Sequence, residues 1–353
     1  DTVLIDLCGQ AYGKRLPRAH IAKLYETGTP VCAAMSLVDV QGNTADPMGH
    51  GFSDGDPDAI VRPVPGRLVR APWAPGLAQV LCEPEDAATG KPLWYDPRTV
   101  LQQVVARFGH LNLTPVTAVE LEFYFIFAER GADGAPQPAV SPRTGRPETA
   151  GKVLSLDMMD EFAPIIMAIE ATCKAQNLPT STMISEYGPG QFEINLDHCD
   201  DPVKACDDAV LLRRCITSVA RANGLDATFM SVPFAGQSGS GMHIHASLTD
   251  DTGNVFDPAH ADADAKLFVD ADPEVRAQRR YQELLGYGED VTLAGVLSDL
   301  RERDHRDMNR AVAPLRPAVD AHLLDTTDLS IDSAVRTAIT MIDAVLNAKA
   351  QER

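Results

Sequence analysis

The sequence predicts an α+β protein laid out in three stretches, and three observations carry that prediction. Short strand-like runs broken by Pro and Gly fill about the first hundred residues. Two strictly alternating segments, "AVELEFYFIF" (118–127) and "GMHIHASL" (241–248), are then separated by long stretches of helical periodicity. Beyond about residue 260 the chain turns charged, Arg-rich and helical, which marks the strongest domain boundary in the sequence.

Taken in order, the runs 3–8, 32–39 and 78–82 read as strands of a small β-rich domain. "MGHGFSDGDPDAIVRPVPGR" (48–67) reads as one long loop, dense in Gly, Asp and Pro. Residues 97–113 start on Pro97 and place Val100, Val104, Val105 and Phe108 at helical spacing. In 118–127, Val119, Leu121, Phe123 and Phe125 face one way, and Glu120 and Glu122 the other. A Gly/Pro-rich loop covers 128–152, followed by a helix over 157–177 and a strand over 190–196. A second helix spans about 202–223, with Ala205, Ala209, Leu212 and Ile216 as its apolar stripe. The strand bearing His243 and His245 closes this block. In the tail, a strand is expected at 266–270 and an amphipathic helix at 330–349.

Composition narrows the function classes. With 44% hydrophobic residues the 353-residue chain has the means for a substantial core, and its length suggests two or three domains. A formal net charge of −19 argues against a nucleic-acid backbone or an anionic membrane as main partner. It is compatible with an acidic site that collects divalent cations. The seven cysteines show no C-x-x-C pair, so reduced thiols are expected. The opening "DTVLIDLCGQAYGKR" is acidic and alternating, unlike a signal peptide, and no apolar run approaches the ~20 residues of a membrane helix. A cytoplasmic protein is expected.

One constellation points to chemistry. Glu120 and Glu122, at i and i+2 on a strand, set two carboxylates side by side, which is costly unless a cation neutralises them or one holds a proton. Glu186 and Glu193 flank a Gly-Pro-Gly turn in "SEYGPGQFEINLD", so the first can fold back toward the strand of the second. His243 adds a nitrogen donor from a third strand. Separately, such features also describe a solvated sheet face, a surface histidine or an ordinary turn; together they favour a metal site. Hard oxygen donors in this number suit Mg²⁺ or Mn²⁺ better than zinc.

The segments "VELEFYF", "SEYGPGQFEINL", "ANGLDATFMSVPFAGQSGSGMHIHASL" and "GDPDAIVRPVPG" resemble the glutamine synthetase family over roughly residues 1–260, and within it the γ-glutamyl polyamine or monoamine ligase branch. The resemblance implies a β-grasp-like domain over 1–98 and, over 99–260, part of an antiparallel catalytic domain forming a metal-binding funnel. It implies Glu122, Glu186 and Glu193 on one Mg²⁺ or Mn²⁺, Glu120 and His243 on a second that bridges the ATP phosphates, and His245 near those phosphates. Gly239 would offer backbone contacts to glutamate. The loop around Asp54 and Asp56 is similar to a segment that reaches a neighbouring subunit's active site, so a homo-oligomer is implied. The implied reaction joins glutamate to ammonia or an amine through γ-glutamyl phosphate, with ATP as substrate. Ser238 stands where glutamine synthetase itself has Asn, a departure that bears on ammonia as acceptor.

The family's later catalytic segment, with its Arg cluster, last metal carboxylate and flap glutamate, is not found in 261–353. There, "DADPEVRAQRR" and "RERDHRDMNRAVAPL" resemble the C-terminal part of bacterial cytidylate kinase over about 263–353. That likeness implies nucleotide contacts from Arg303, Asp307 and Arg310. Neither "GQAYGKR" (9–15) nor "GRPETAGKV" (145–153) has P-loop spacing, so kinase turnover is not expected. The reading is thus a chimera joined near 258–266: a ligase-like part with an incomplete site, a metal- or nucleotide-binding module without turnover, or a kinase remnant.

Overall fold

A computed structural model describes residues 1–44, 46, 49–256, 266–286, 291–309 and 315–352. The chain divides into two units, Asp1–Asn254 and Val255–Arg353. Most of the expected junction at 258–266, and the candidate residue Arg310, lie outside the described residues.

In the first unit, β1 (Thr2–Ile5), β2 (Ala11–Tyr12), helix α1 (Ile21–Thr27), β3 (Thr29–Cys32), β4 (Asp58–Arg70) and β5 (Ala78–Asp86) build a sheet in the order β2-β1-β5-β4-β3. β1 runs parallel to β5, and the other pairs are antiparallel. Strand alternation sends Leu4, Val31, Val61 and Val80 to one face, where Leu24 of α1 and Leu37 cover them. Val3, Val64 and Leu81 face the other way and join the core of the second sheet. Gly28 ends α1 at φ 75°, and a Cβ there would stand 2.8 Å from Val61 O, so only glycine turns the chain this tightly into β3.

Two expectations fail in this sheet. The strand-like run 32–39 is instead a 3₁₀ turn over Ala33–Leu37, whose buried residues Ala33, Ala34, Ser36 and Leu37 lack a strand's alternation. The loop expected over 48–67 gives way at Asp58 to the long strand β4. Its Pro63, Pro65 and Gly66 look like breakers in sequence, but the sheet absorbs them in a register shift between Pro63 and Leu68.

The rest of the unit comprises α2 (Pro97–Gly109), β6 (Thr114–Phe127), α3 (Leu156–Glu161), α4 (Ala163–Ala175), β7 (Thr180–Ser185), β8 (Gln191–Leu196), α5 (Pro202–Ala222), β9 (Leu225–Thr228) and β10 (Met242–Thr249). The strands form an antiparallel sheet in the order β10-β6-β8-β7, with β9 paired to the far end of β6. The expected face of β6 is buried: Phe123 and Phe125 meet Phe162 and Phe192, with ring centroids 5.2–6.3 Å apart in the cluster. Ile165 and Ile169 of α4 and Leu212 and Ile216 of α5 close over them. Truncating Phe125 to Ala would cost about 3–5 kcal/mol.

The single helix expected over 157–177 is broken. Phe162 leaves helical geometry ahead of Pro164, which has no N–H to continue the ladder of α3, and α4 starts afresh. In α2 the Asp96 carboxylate accepts from Thr99 N at 3.1 Å, giving the helix its start, yet Val100 and Val104 are exposed rather than packed.

Asp207 and Asp208 sit buried on α5 and are answered from the first sheet and α2. Arg67 reaches Asp208 at 2.8 Å, Asp207 at 3.1 Å and Lys204 O at 3.0 Å, while Arg98 bridges Asp207 (3.1 Å) and Glu83 (2.5 Å). This charge network ties the two sheets together.

In the second unit, β11 (Leu267–Asp270) pairs in parallel with β12 (His322–Asp325), beside helices α6 (Pro273–Gly286), α7 (Leu293–Asn309) and α8 (Ile331–Glu352). The expected strand and final helix are both present. Arg276 grips Asp304 with two bonds, 3.1 and 2.6 Å, fastening α6 to α7. Arg279 donates to Thr326 O and Thr327 O, holding the turn after β12. Among the described residues, no helix is long and apolar enough to cross a membrane.

Candidate metal centre

The polar face of the second sheet is organised in cross-strand rows. Glu120 on β6 is flanked by Asn195 on β8 and His243 on β10. One row along, Glu122 lies opposite Glu193, and its N–H donates to Gly241 O at 3.1 Å. The next row pairs Tyr124 with Gln191. Because strand side chains repeat every second residue, Glu120, Glu122 and Tyr124 share this face, as do Gln191, Glu193 and Asn195.

Within these rows the donors converge. His243 Nδ1 is 3.3 Å from Glu120 Oε2, 3.7 Å from Glu122 Oε1 and 3.7 Å from Glu193 Oε2. Ligand atoms of Glu120, Glu193 and His243 all lie within 4.8 Å of one another. An ion with donors at ~2.0–2.6 Å spaces them in this range. His245 Nε2 lies 3.0 Å from Glu120 Oε1, which also accepts from Asn195 Nδ2 at 2.6 Å. Asn195 Oδ1 is buried with no hydrogen-bond partner among the described residues, leaving a free acceptor beside Glu120.

Glu186 stands at the end of the β7–β8 hairpin, where its N–H donates to Gln191 O at 2.9 Å. Burial first, then the charges of Glu122 and Glu193, raise its pKa above the ordinary glutamate value. Burial and the Glu120 charge likewise raise that of Glu193. For Glu120, burial pushes upward, but hydrogen bonds from His245 and Asn195 outweigh it and the pKa is lowered. Tyr124 is pushed up to about 12 by burial and by Glu122 and Glu186. A cation among these carboxylates would relieve the mutual repulsion that raises the pKa values of Glu186 and Glu193. The donor set, rich in carboxylate with one imidazole, fits Mg²⁺ or Mn²⁺.

The other expected site residues are placed as follows. Gly239 lies in the loop before β10, where a Cβ would come 2.8 Å from Ser231 O, and its carbonyl accepts from Gln191. Asp54 ends a short turn in the first sheet's loop, 3.3 Å from His50 Nδ1, and accepts from Gly51 N and Asp56 N; none of these partners belongs to the cluster. In the second unit, Arg303 and Asp307 pair at 3.7 Å on α7, with Arg303 largely exposed. The residues missed in sequence are Gln191, Asn195 and Tyr124. The same period of two that picked out Glu120 and Glu122 marks Tyr124, and the one that runs through Glu193 marks Gln191 and Asn195.

Comparison with known proteins bears on both units. Residues 94–268 match the glutamine synthetase catalytic domain, and residues 250–344 match cytidylate kinase. The γ-glutamylputrescine synthetase PuuA of Escherichia coli (strain K12) is 37% identical over 264 residues, covering 74% of this chain and 56% of that protein. A cytidylate kinase of Brucella ovis is 53% identical over 96 residues, 27% of this chain and 42% of the kinase. A solved structure of apo GmaS without ligand superposes with TM-score 0.60 at 26% identity, covering 72% of this chain and 55% of that one. The chain thus spans about half the length of the curated relatives it matches.

Proposed function

The chain is related to the glutamine synthetase family over its first 260 or so residues and to cytidylate kinase over the remainder, and on that premise we propose that it carries the cation-binding part of an ATP-dependent γ-glutamyl–amine ligase. In this reading residues 1–98 form a β-grasp-like domain, 99–260 a shortened catalytic domain and 263–353 a kinase-like segment. The observation that carries it is the convergence of Glu120, Glu193 and His243 from three neighbouring strands, with Glu122 at 3.7 Å from the imidazole.

Glu120, Glu122, Glu186 and Glu193 would hold Mg²⁺ or Mn²⁺ together with His243. A divalent ion there supplies charge neutralisation for phosphoryl transfer from ATP to the glutamate γ-carboxylate. The protein's own residues position. Gly239 would offer backbone contacts to glutamate, and His245, held 3.0 Å from Glu120, would lie near the ATP phosphates. Ammonia or an amine then displaces phosphate from γ-glutamyl phosphate. The Asp54 loop would serve a neighbouring copy in a homo-oligomer. Arg303, Asp307 and Arg310 would contact a nucleotide phosphate in the second unit.

A phosphate-release assay with glutamate, ATP, Mg²⁺ and a panel of amines tests this. Amine-dependent release well below that of a full-length ligase, and abolished by Glu122→Gln, is the expected result; release at a full-length ligase's rate would contradict the incomplete site. Mn²⁺ binding with no amine-dependent release would favour the second reading, a metal- or nucleotide-binding module without turnover. That alternative draws on the five candidate metal ligands, Glu120, Glu122, Glu186, Glu193 and His243, and on the kinase-like match over 250–344. Transfer of phosphate from ATP to CMP by the purified chain would overturn both in favour of a kinase.

A further inference from the structure

Gln191 is completely buried and opens β8 on the same face as Glu193. Its amide is used on both sides. Nε2 donates to Glu122 Oε2 at 3.0 Å and to Gly239 O at 2.9 Å, while Oε1 accepts from Gly188 N at 2.8 Å. Its register partner Tyr124 donates to Ser238 O at 2.6 Å. Two adjacent side chains therefore hold consecutive carbonyls of the loop "GQSGSG" (236–241), and Gln191 joins that loop both to a candidate ligand and to the Gly-Pro-Gly turn.

The glycines permit this closeness. A Cβ on Gly188 would stand 1.9 Å from Tyr124 Oη, and one on Gly241 would stand 3.0 Å from Glu122 Oε1. Since Gln191 occupies Oε2 of Glu122, the other oxygen, Oε1, is the one turned toward His243 Nδ1 at 3.7 Å. An amide suits this place better than a carboxylate, because it donates to Glu122 without adding another negative charge.

We propose that Gln191 is a positioning residue of the metal centre: it selects which oxygen of Glu122 faces a bound cation and couples that carboxylate to both glycine loops. The inference rests on the metal-centre reading above. It predicts that Gln191 acts on the cation through Glu122, so the two residues are not energetically independent.

The test is Mn²⁺ titration calorimetry on the full chain for wild type, Gln191→Met, Glu122→Gln and the double variant, each checked for folding by its metal-free melt. Gln191→Met should weaken Mn²⁺ binding about tenfold or more. In the Glu122→Gln background the same change should cost less than about twofold. Unchanged affinity in the single variant, or equal losses in both backgrounds, overturns the proposal. Should the methionine variant not fold, Gln191→Asn keeps the amide but withdraws it by one methylene, and the same cycle applies. Wild type that fails to bind Mn²⁺ refutes the metal centre itself, and the proposal with it.

Discussion

Replacing Glu193 with Gln should make the metal-free protein more stable while removing its response to a cation. Glu193 and Glu122 are direct cross-strand partners, and their side chains are 10% and 11% exposed. Such partners have Cβ atoms about 4.5–5.5 Å apart. At about 5 Å, two unit charges repel by about 0.8 kcal/mol in water and about 3 kcal/mol at an effective dielectric near 20. Removing one charge should therefore stabilise the metal-free state by about 1–3 kcal/mol, with the Gln amide free to hydrogen-bond Glu122. The measurement is urea unfolding in EDTA at pH 8, above the ordinary imidazole range, so that ion pairing to histidine does not mask the gain. Mn²⁺ at 100 times its dissociation constant should stabilise wild type by about 2.7 kcal/mol and the variant by much less. A variant less stable than wild type in EDTA, or one that keeps the full Mn²⁺ response, would refute the reasoning.

The raised pKa values of Glu186 and Glu193 mean that the folded state binds protons more tightly than the unfolded chain. Metal-free stability should accordingly fall as pH rises from 4.5 through those raised values, whereas Mn²⁺-induced stabilisation should grow over the same window; melts with and without Mn²⁺ from pH 4.5 to 7 check both. Glu120 acts in the opposite sense: its contribution is present above 4.5 and lost as pH falls through its lowered pKa. Arg67→Met should destabilise the first unit by about 3–5 kcal/mol, because it strands Asp208, whose side chain is 1% exposed, with Lys204 as its remaining ion-pair partner in the network; a loss below about 1 kcal/mol in urea unfolding would contradict a buried network. Gly241→Ala would place a Cβ 2.8 Å from His243 Nε2, so Mn²⁺ affinity should drop about tenfold by calorimetry with little change in secondary structure by circular dichroism.

Local pattern was enough wherever a segment's fate depends on its own periodicity. The alternation in 118–127 determined which side of β6 is core and which side carries Glu120 and Glu122, because a strand has only two faces. The spacing of Ala205, Leu212 and Ile216 determined the buried side of α5 in the same way. What sequence could not supply was the answer to a breaker or to a bare charge. Pro63, Pro65 and Gly66 look like loop, and only the neighbouring strands reveal a bulge within β4. Val100 and Val104 read as a core stripe, yet α2 leaves both exposed. At the site, residue type and period named the carboxylates and the histidines, but register decided the company they keep. Pairing of β6 with β8 and β10 placed Asn195 and His243 beside Glu120, and set Gln191 next to Tyr124 beneath the glycine loops. Those partners lie at least 67 positions away along the chain, and no local pattern encodes an alignment that the whole sheet must settle by burying its aromatic face.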